Sequence, residues 1–222
     1  MKGVIFDLDG TLADTLSSIA YFANLALAKS GLPEIPKEEY RYLVGNGAKR
    51  LVHGMLRSVG ADTEENFARV APLYNDGYDA DALYLTKPYD GIVELLDRLR
   101  RHNVITAVLS NKPDRTTQKI VKALFGTRIL YCRGQRDDTP RKPDPAGAYR
   151  LLEEMGIQPS DCTYVGDTKT DMLTGRAAGL YTLGVLWGFR DRMELEENGA
   201  DRIVAHPSEI GDIILNERTE LP

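Results

Sequence analysis

The sequence predicts an α/β fold, a doubly wound parallel sheet interrupted by a small all-helical insertion. Two observations carry this. Short apolar runs alternate with helical patterns over most of the chain, which calls for parallel strands covered on both faces. One long stretch, from Asp14 to Leu85, holds helical patterns and no convincing strand. The expected division is a core of residues 1–13 and 86–222 and a helical domain of residues 14–85.

Strands are expected at Gly3–Phe6, Val104–Leu109, Ile129–Cys132, Thr163–Val165, Tyr181–Val185 and, more briefly, Arg202–Val204. Asp90 is placed to cap a helix carrying Ile92, Val93, Leu95, Leu96 and Leu99. Asp114 is placed to cap one carrying Ile120, Val121 and Leu124, and Pro145 suits the first turn of a third. In the insertion, Leu16, Ile19, Ala23 and Leu27 recur at helical spacing and Gly31 stops them. Pro36 opens a new segment. Leu51, Val52, Met55, Leu56 and Val59 form another apolar face, ended by Gly60, and Pro88 marks the return to the core. The polar tail Asn216–Pro222 is expected to fray.

Lys plus Arg number 28 and Asp plus Glu 33, a formal charge of −5. A mildly acidic chain argues against a nucleic-acid partner, which normally meets a basic stripe. The first apolar run, Val4–Phe6, stops at Asp7, too short for a signal peptide or a membrane span. Cys132 and Cys162 form no C-x-x-C pair and read as small hydrophobes in or near strands. A cytoplasmic location is the default.

Four clusters carry chemistry. Asp7-Leu8-Asp9-Gly10-Thr11 follows the first strand. Two carboxylates two residues apart on a strand share a face and repel unless a cation lies between them, and hard oxygen ligands suit Mg2+. Ser110-Asn111-Lys112 ends the second strand, where a hydroxyl and a backbone N–H can hold a phosphate oxygen; in isolation a strand-to-helix turn capped by Ser or Asn is the commoner meaning of such a triplet. Lys142 sits in Arg141-Lys142-Pro143-Asp144-Pro145, a stiffened loop that aims its ammonium; a solvated surface lysine is the alternative. Gly166-Asp167-Thr168-Lys169-Thr170-Asp171 follows another strand, and Asp167 and Asp171 face one way if a helix begins there. Either completes a cation site, or both are first-turn acids favoured by the helix dipole.

Taken in order, the four clusters supply a nucleophile, phosphate donors, a counter-cation and metal ligands. This chain resembles the haloacid dehalogenase superfamily of phosphatases in all four, from about Gly3 to about Ala205. The resemblance implies a Rossmann-like core with a helical cap. It implies Asp7 as the nucleophile of an aspartyl phosphate and Asp9 as general acid and base, with Thr11 orienting Asp9. Mg2+ would be held by Asp7, the Asp9 backbone carbonyl, Asp167 and Asp171. Ser110, Asn111 and Lys142 would contact the phosphoryl group.

Within the superfamily the sequence is similar to phosphoglycolate phosphatases, through the position of the insertion, the Gly45-Asn46-Gly47-Ala48 loop and Asn111-Lys112-Pro113. Gly45, Asn46 and Gly47 are expected to admit a small anion at a helix N-terminus. Arg50, one turn on, is either a partner for a substrate carboxylate or a surface arginine. Leu16–Ser30 holds no histidine, which counts against the β-phosphoglucomutase group. Phosphatases of nucleotides, sugar phosphates or pyrophosphate remain alternatives, as does a non-catalytic phosphate-binding protein. The expected partner is a small phosphorylated metabolite, with no nucleic acid and no membrane, and the protein itself a monomer or homodimer. His53, His102, His206, Trp187 and Phe189 are assigned no catalytic part.

Overall fold

A computed structural model describes residues 1–216; positions 217–222, which hold most of the tail expected to fray, lie outside the described residues. The chain opens with β1 (Gly3–Phe6) and a two-residue β2 (Ala13–Asp14). Four helices follow, α1 (Leu16–Lys29), α2 (Tyr40–Leu43), α3 (Ala48–Ser58) and α4 (Glu64–Ala80). After β3 (Lys87–Pro88) come α5 (Ile92–Arg101), β4 (Ile105–Pro113), α6 (Asp114–Phe125) and β5 (Tyr131–Gln135). The chain continues through α7 (Ala146–Met155), β6 (Cys162–Gly166), α8 (Lys169–Ala177), β7 (Tyr181–Val185), α9 (Arg192–Glu197), β8 (Arg202–Val204) and α10 (Pro207–Asn216).

Six strands form one sheet in the order β5-β4-β1-β6-β7-β8, all pairings parallel. The order reverses on either side of β1, so the carboxyl end of β1 is the topological switch point where such sheets bind ligands. Val4, Ile5 and Phe6 are fully buried, as a strand covered on both faces requires. Their alternation sorts the core. Val4 and Phe6 join Val108, Val165 and Leu183 in a cluster with residues of α5, α6 and α10. Ile5 joins Ala107, Leu109 and Tyr164 beneath Leu151, Leu152 and Met155 of α7.

The helices α1 to α4 continue the first of these clusters, with Ile19, Leu27, Leu51, Met55, Val70 and Tyr74 buried among them. Their entry and exit are tied together by the antiparallel pair β2–β3, which apolar patterning did not reveal because each strand has two residues. Gly31 and Gly60 follow helix ends with φ of 69° and 67°, as the stop signals predicted. Pro72 lies inside α4, where it removes one intrahelical bond; the buried face of Val70, Ala71, Tyr74 and Tyr78 outweighs that loss.

Four local expectations change. The strand expected at Ile129–Cys132 begins two residues later and runs as β5 over Tyr131–Gln135. The strand expected to end at Leu109 runs on to Pro113, because β5 offers it a partner as far as Gln135. Gly91 and not Asp90 precedes α5. Asp114 begins α6, but its Oδ1 accepts from the Gly134 N–H at 2.8 Å and so ties the helix to β5.

Candidate active site

The four predicted clusters meet at the carboxyl ends of β1, β4 and β6, three on loops and Ser110-Asn111-Lys112 in the last residues of β4 itself. After β1, the Asp7 N–H donates to the Val165 carbonyl, which holds the loop against β6. Gly10 turns the chain with φ of 87°, and a Cβ there would lie 2.3 Å from Asp167 Oδ2. The glycine thus answers both a backbone and a packing demand.

Asp7, Asp167 and Asp171 converge, with one carboxylate oxygen from each lying within 4.8 Å of the others. The Lys142 ammonium bridges two of them, 2.8 Å from Asp7 Oδ1 and 2.7 Å from Asp171 Oδ1. Asp171 uses its other oxygen as the return arm of a capping box, accepting from the Thr168 N–H at 3.1 Å and hydroxyl at 2.6 Å. It is therefore both a first-turn acid and a member of the cluster. Asp167 accepts from the Thr11 hydroxyl at 2.9 Å and from the Phe189 N–H at 2.8 Å. The Thr11 hydroxyl is thus engaged by Asp167 and not by Asp9, which corrects the orienting part expected of it.

Electrostatics leave this cluster short of positive charge. Burial, opposed by Lys142 and reinforced by Asp171, pushes the Asp7 carboxyl up to about 7. Burial, then the charges of Asp171 and Asp7, hold Asp167 well above the usual carboxylate range. Burial works against the Lys142 ammonium, but Asp171 and Asp7 outweigh it and raise its pKa. One buried ammonium cannot neutralise three buried carboxylates. A hard, all-oxygen donor set that is short of positive charge fits Mg2+.

This has a measurable consequence. Asp7 is protonated in the metal-free fold up to about pH 7 but ionises near its ordinary 3.8 in the unfolded chain. Between those values the native state holds the extra proton, so this group's contribution to stability falls as pH rises. Mg2+ needs the ionised carboxylates and displaces that proton. The rise in Tm on adding Mg2+ is therefore expected to be larger at about pH 7.5 than at about pH 5.5. A rise independent of pH over that window would count against this cluster as the metal site.

Asp9 stands apart from the three. Its Oδ2 lies 2.9 Å from the Lys112 ammonium, while its Oδ1 is buried without a protein partner. It faces a cavity of about 390 Å³ between the β4–α6 junction and the helices α1, α3 and α4, lined by Ile19, Val44, Leu51, Tyr74, Tyr78 and Lys112 among others. The predicted loop divides there. Gly45 and Gly47 line the cavity, with φ of 109° and 84°, but Asn46 lies on an outer depression and its carbonyl accepts from Arg141 at 3.3 Å. Arg50 lines the same outer depression, with Tyr42, His53 and Arg57, so it is the surface arginine of the two readings.

Ser110, Asn111 and Lys142 are buried at this end of the sheet. The Ser110 oxygen accepts from the Lys112 N–H at 3.2 Å. Both donors of the Asn111 amide are used, on the Lys142 and Gly45 carbonyls, each at 3.1 Å, and its oxygen accepts from the Lys142 N–H at 2.9 Å. Asn111 therefore splices the lysine loop to the glycine loop, and its amide holds no free donor for phosphate. Sequence reasoning missed Lys112 as the partner of Asp9 and the Phe189 N–H as a support for Asp167. The first was hidden by the expected turn at Ser110. The second is a backbone group, which carries no residue-type signal.

The chain is 34% identical to the N-acetylmuramic acid 6-phosphate phosphatase of Pseudomonas aeruginosa, over 96% of this chain and 95% of that protein. It is 32% identical to the phosphoglycolate phosphatase of Haemophilus influenzae, over 90% and 92%. A crystal structure from Lactobacillus delbrueckii subsp. bulgaricus, 27% identical, superposes with a TM-score of 0.92 over 96% of this chain and 98% of that one. Among the described residues no helix is long and apolar enough to cross a membrane. Residues 4–185, which contain all four clusters, match the haloacid dehalogenase-like hydrolase family, and the chain belongs to it.

Proposed function

We propose that this phosphatase is a Mg2+-dependent phosphomonoester hydrolase acting through an aspartyl phosphate on Asp7. The observation that carries the reading is the different setting of two neighbouring carboxylates. Asp7 lies in the cluster with Asp167, Asp171 and Lys142, whereas Asp9 stands outside it, paired with Lys112 at the wall of the cavity. Held by Asp7, Asp167, Asp171 and the Asp9 carbonyl, Mg2+ would neutralise charge where phosphate meets carboxylate. Asp7 attacks phosphorus, the bond to the leaving oxygen breaks, and Asp9 gives that oxygen a proton. Asp9 then takes a proton from water as the water oxygen attacks phosphorus, which releases phosphate and restores Asp7. Lys142 balances charge through both steps, and the Ser110 hydroxyl donates to a phosphoryl oxygen.

Residues 14–85 act in this reading as a cap, and the structure is its closed state. Ties across the boundary support that: Asn111 to Gly45, Arg141 to Asn46, Arg41 to the Gly188 carbonyl at 2.8 Å, and Arg190 to the Arg41 and Val44 carbonyls. Closure excludes water from the reacting groups. Two unpaired thiols suit a cytoplasmic setting.

Phosphoglycolate is the substrate favoured by relatives that carry its name at about 32% identity. A second reading, a bulkier and less acidic sugar phosphate, is favoured by the cavity. Its two cations are already ion-paired, Lys112 with Asp9 and Arg115 with Asp79, and its volume of about 390 Å³ exceeds the needs of a two-carbon acid. The deciding experiment is phosphate release from 2-phosphoglycolate, N-acetylmuramic acid 6-phosphate, glucose 6-phosphate, AMP and pyrophosphate, with and without Mg2+. The highest kcat/KM identifies the substrate. Absence of Mg2+-dependent release from all five would overturn the reading.

A further inference from the structure

The motif Ser110-Asn111-Lys112 contains one buried cation that the proposed reaction leaves unused. Lys112 is only 8% exposed, yet it carries a charge, which is costly unless that charge is paired. Among the described residues its ion-pair partner is Asp9, with Nζ 2.9 Å from Oδ2. On its other side the ammonium sits 4.5 Å from the ring centre of Tyr78, a residue of α4. Burial works to lower its pKa, but the Asp9 carboxylate prevails and the group is held firmly charged. The backbone fixes it further: Lys112 lies within β4, its N–H bound to Ser110 Oγ and its carbonyl accepting from the Thr117 hydroxyl at 3.2 Å.

This arrangement treats the two oxygens of Asp9 differently. Oδ2 is pinned by the ammonium, Oδ1 is buried without a hydrogen-bond partner, and the residue as a whole lines the cavity. We propose that Lys112 is the positioning residue for Asp9, holding its carboxyl in one orientation at the wall of the cavity where the leaving oxygen departs. The inference rests on the acid–base part assigned to Asp9 above. Tyr78 closes over the ammonium from the helical insertion, so the pin is complete in the closed arrangement of the two parts.

The test compares leaving groups. An alkoxide must be protonated as it departs, whereas p-nitrophenolate leaves without help, so failure of the acid is felt by the first and little by the second. The ratio kcat/KM is the proper measure, because it ends with the first chemical step and excludes dephosphorylation. Lys112→Met is expected to lower kcat/KM by at least about 100-fold for the best alkyl phosphate of the panel and by less than about tenfold for p-nitrophenyl phosphate. Asp9→Asn is the reference. If Asp9→Asn hurts both substrates equally, the acid–base assignment fails and the inference falls with it. If Asp9→Asn discriminates but Lys112→Met does not, the lysine is merely structural and this inference alone is wrong. Should Lys112→Met fold poorly, Lys112→Met in the Asp9→Asn background removes both partners. A residue acting through Asp9 then costs nothing further on the alkyl phosphate, and an added loss above about tenfold overturns the proposal.

Discussion

Asp7→Asn is expected to abolish turnover, lowering kcat by at least about 10⁴-fold, while leaving the metal-free protein at least as stable as its parent. The two effects share one origin. Asp7 is buried beside Asp171 and Asp167, and burial with like charge holds its carboxyl up to about 7. Its ionised form is therefore a burden on the fold above that pH, relieved by a neutral amide of the same shape. The amide cannot serve as the nucleophile, and it weakens the oxygen set that would hold Mg2+. Lys142 keeps its second partner, Asp171, so no buried charge is orphaned. Thermal unfolding at about pH 8 without Mg2+ should give an unchanged or higher Tm beside the lost activity. A clear fall in Tm would mean that inactivity reflects misfolding and says nothing of nucleophilic attack.

Lys142→Ala should do the reverse to stability. Removing the ammonium leaves Asp7, Asp167 and Asp171 buried with no cation among them. Breaking one partner from a buried ion pair typically costs about 3–5 kcal/mol. For a chain of this size that corresponds to a fall in Tm of roughly 6–20 °C. Added Mg2+ should recover more of this loss than it adds to the parent, because it supplies the missing charge. Activity falls as well, since the phosphoryl group loses an electrostatic partner, by about 10²–10³-fold in kcat. Denaturant titrations of both proteins with and without Mg2+ measure the difference. Equal Mg2+ responses would separate Lys142 from the metal cluster.

Most of the site was legible because its parts are local. An apolar run that ends on Asp7-x-Asp9, or on Gly166-Asp167, states in a few residues that a buried strand delivers carboxylates to the end of a sheet. The helices of the insertion were legible from their spacing and their glycine stops, and the parallel sheet from the alternation of strands and helices. Residue type alone thus determined which groups reach the switch point and that they are short of positive charge.

Which group touches which was settled by packing between distant segments. β4 runs on through Lys112 to Pro113, which pairs with Gln135 of β5 after a break in register, and there Asn111 reaches into the Lys142 loop while Lys112 lies on Asp9. Thr11 meets Asp167 because Gly10 lets the two loops close to contact distance. The Phe189 N–H reaches Asp167 through the loop after β7, and Arg50 turns away from the cavity on the outer face of α3. These contacts join residues far apart in the chain, through backbone groups or long side chains whose direction no short motif encodes. Their geometry follows from how the sheet, the loops and the helical insertion fill space together.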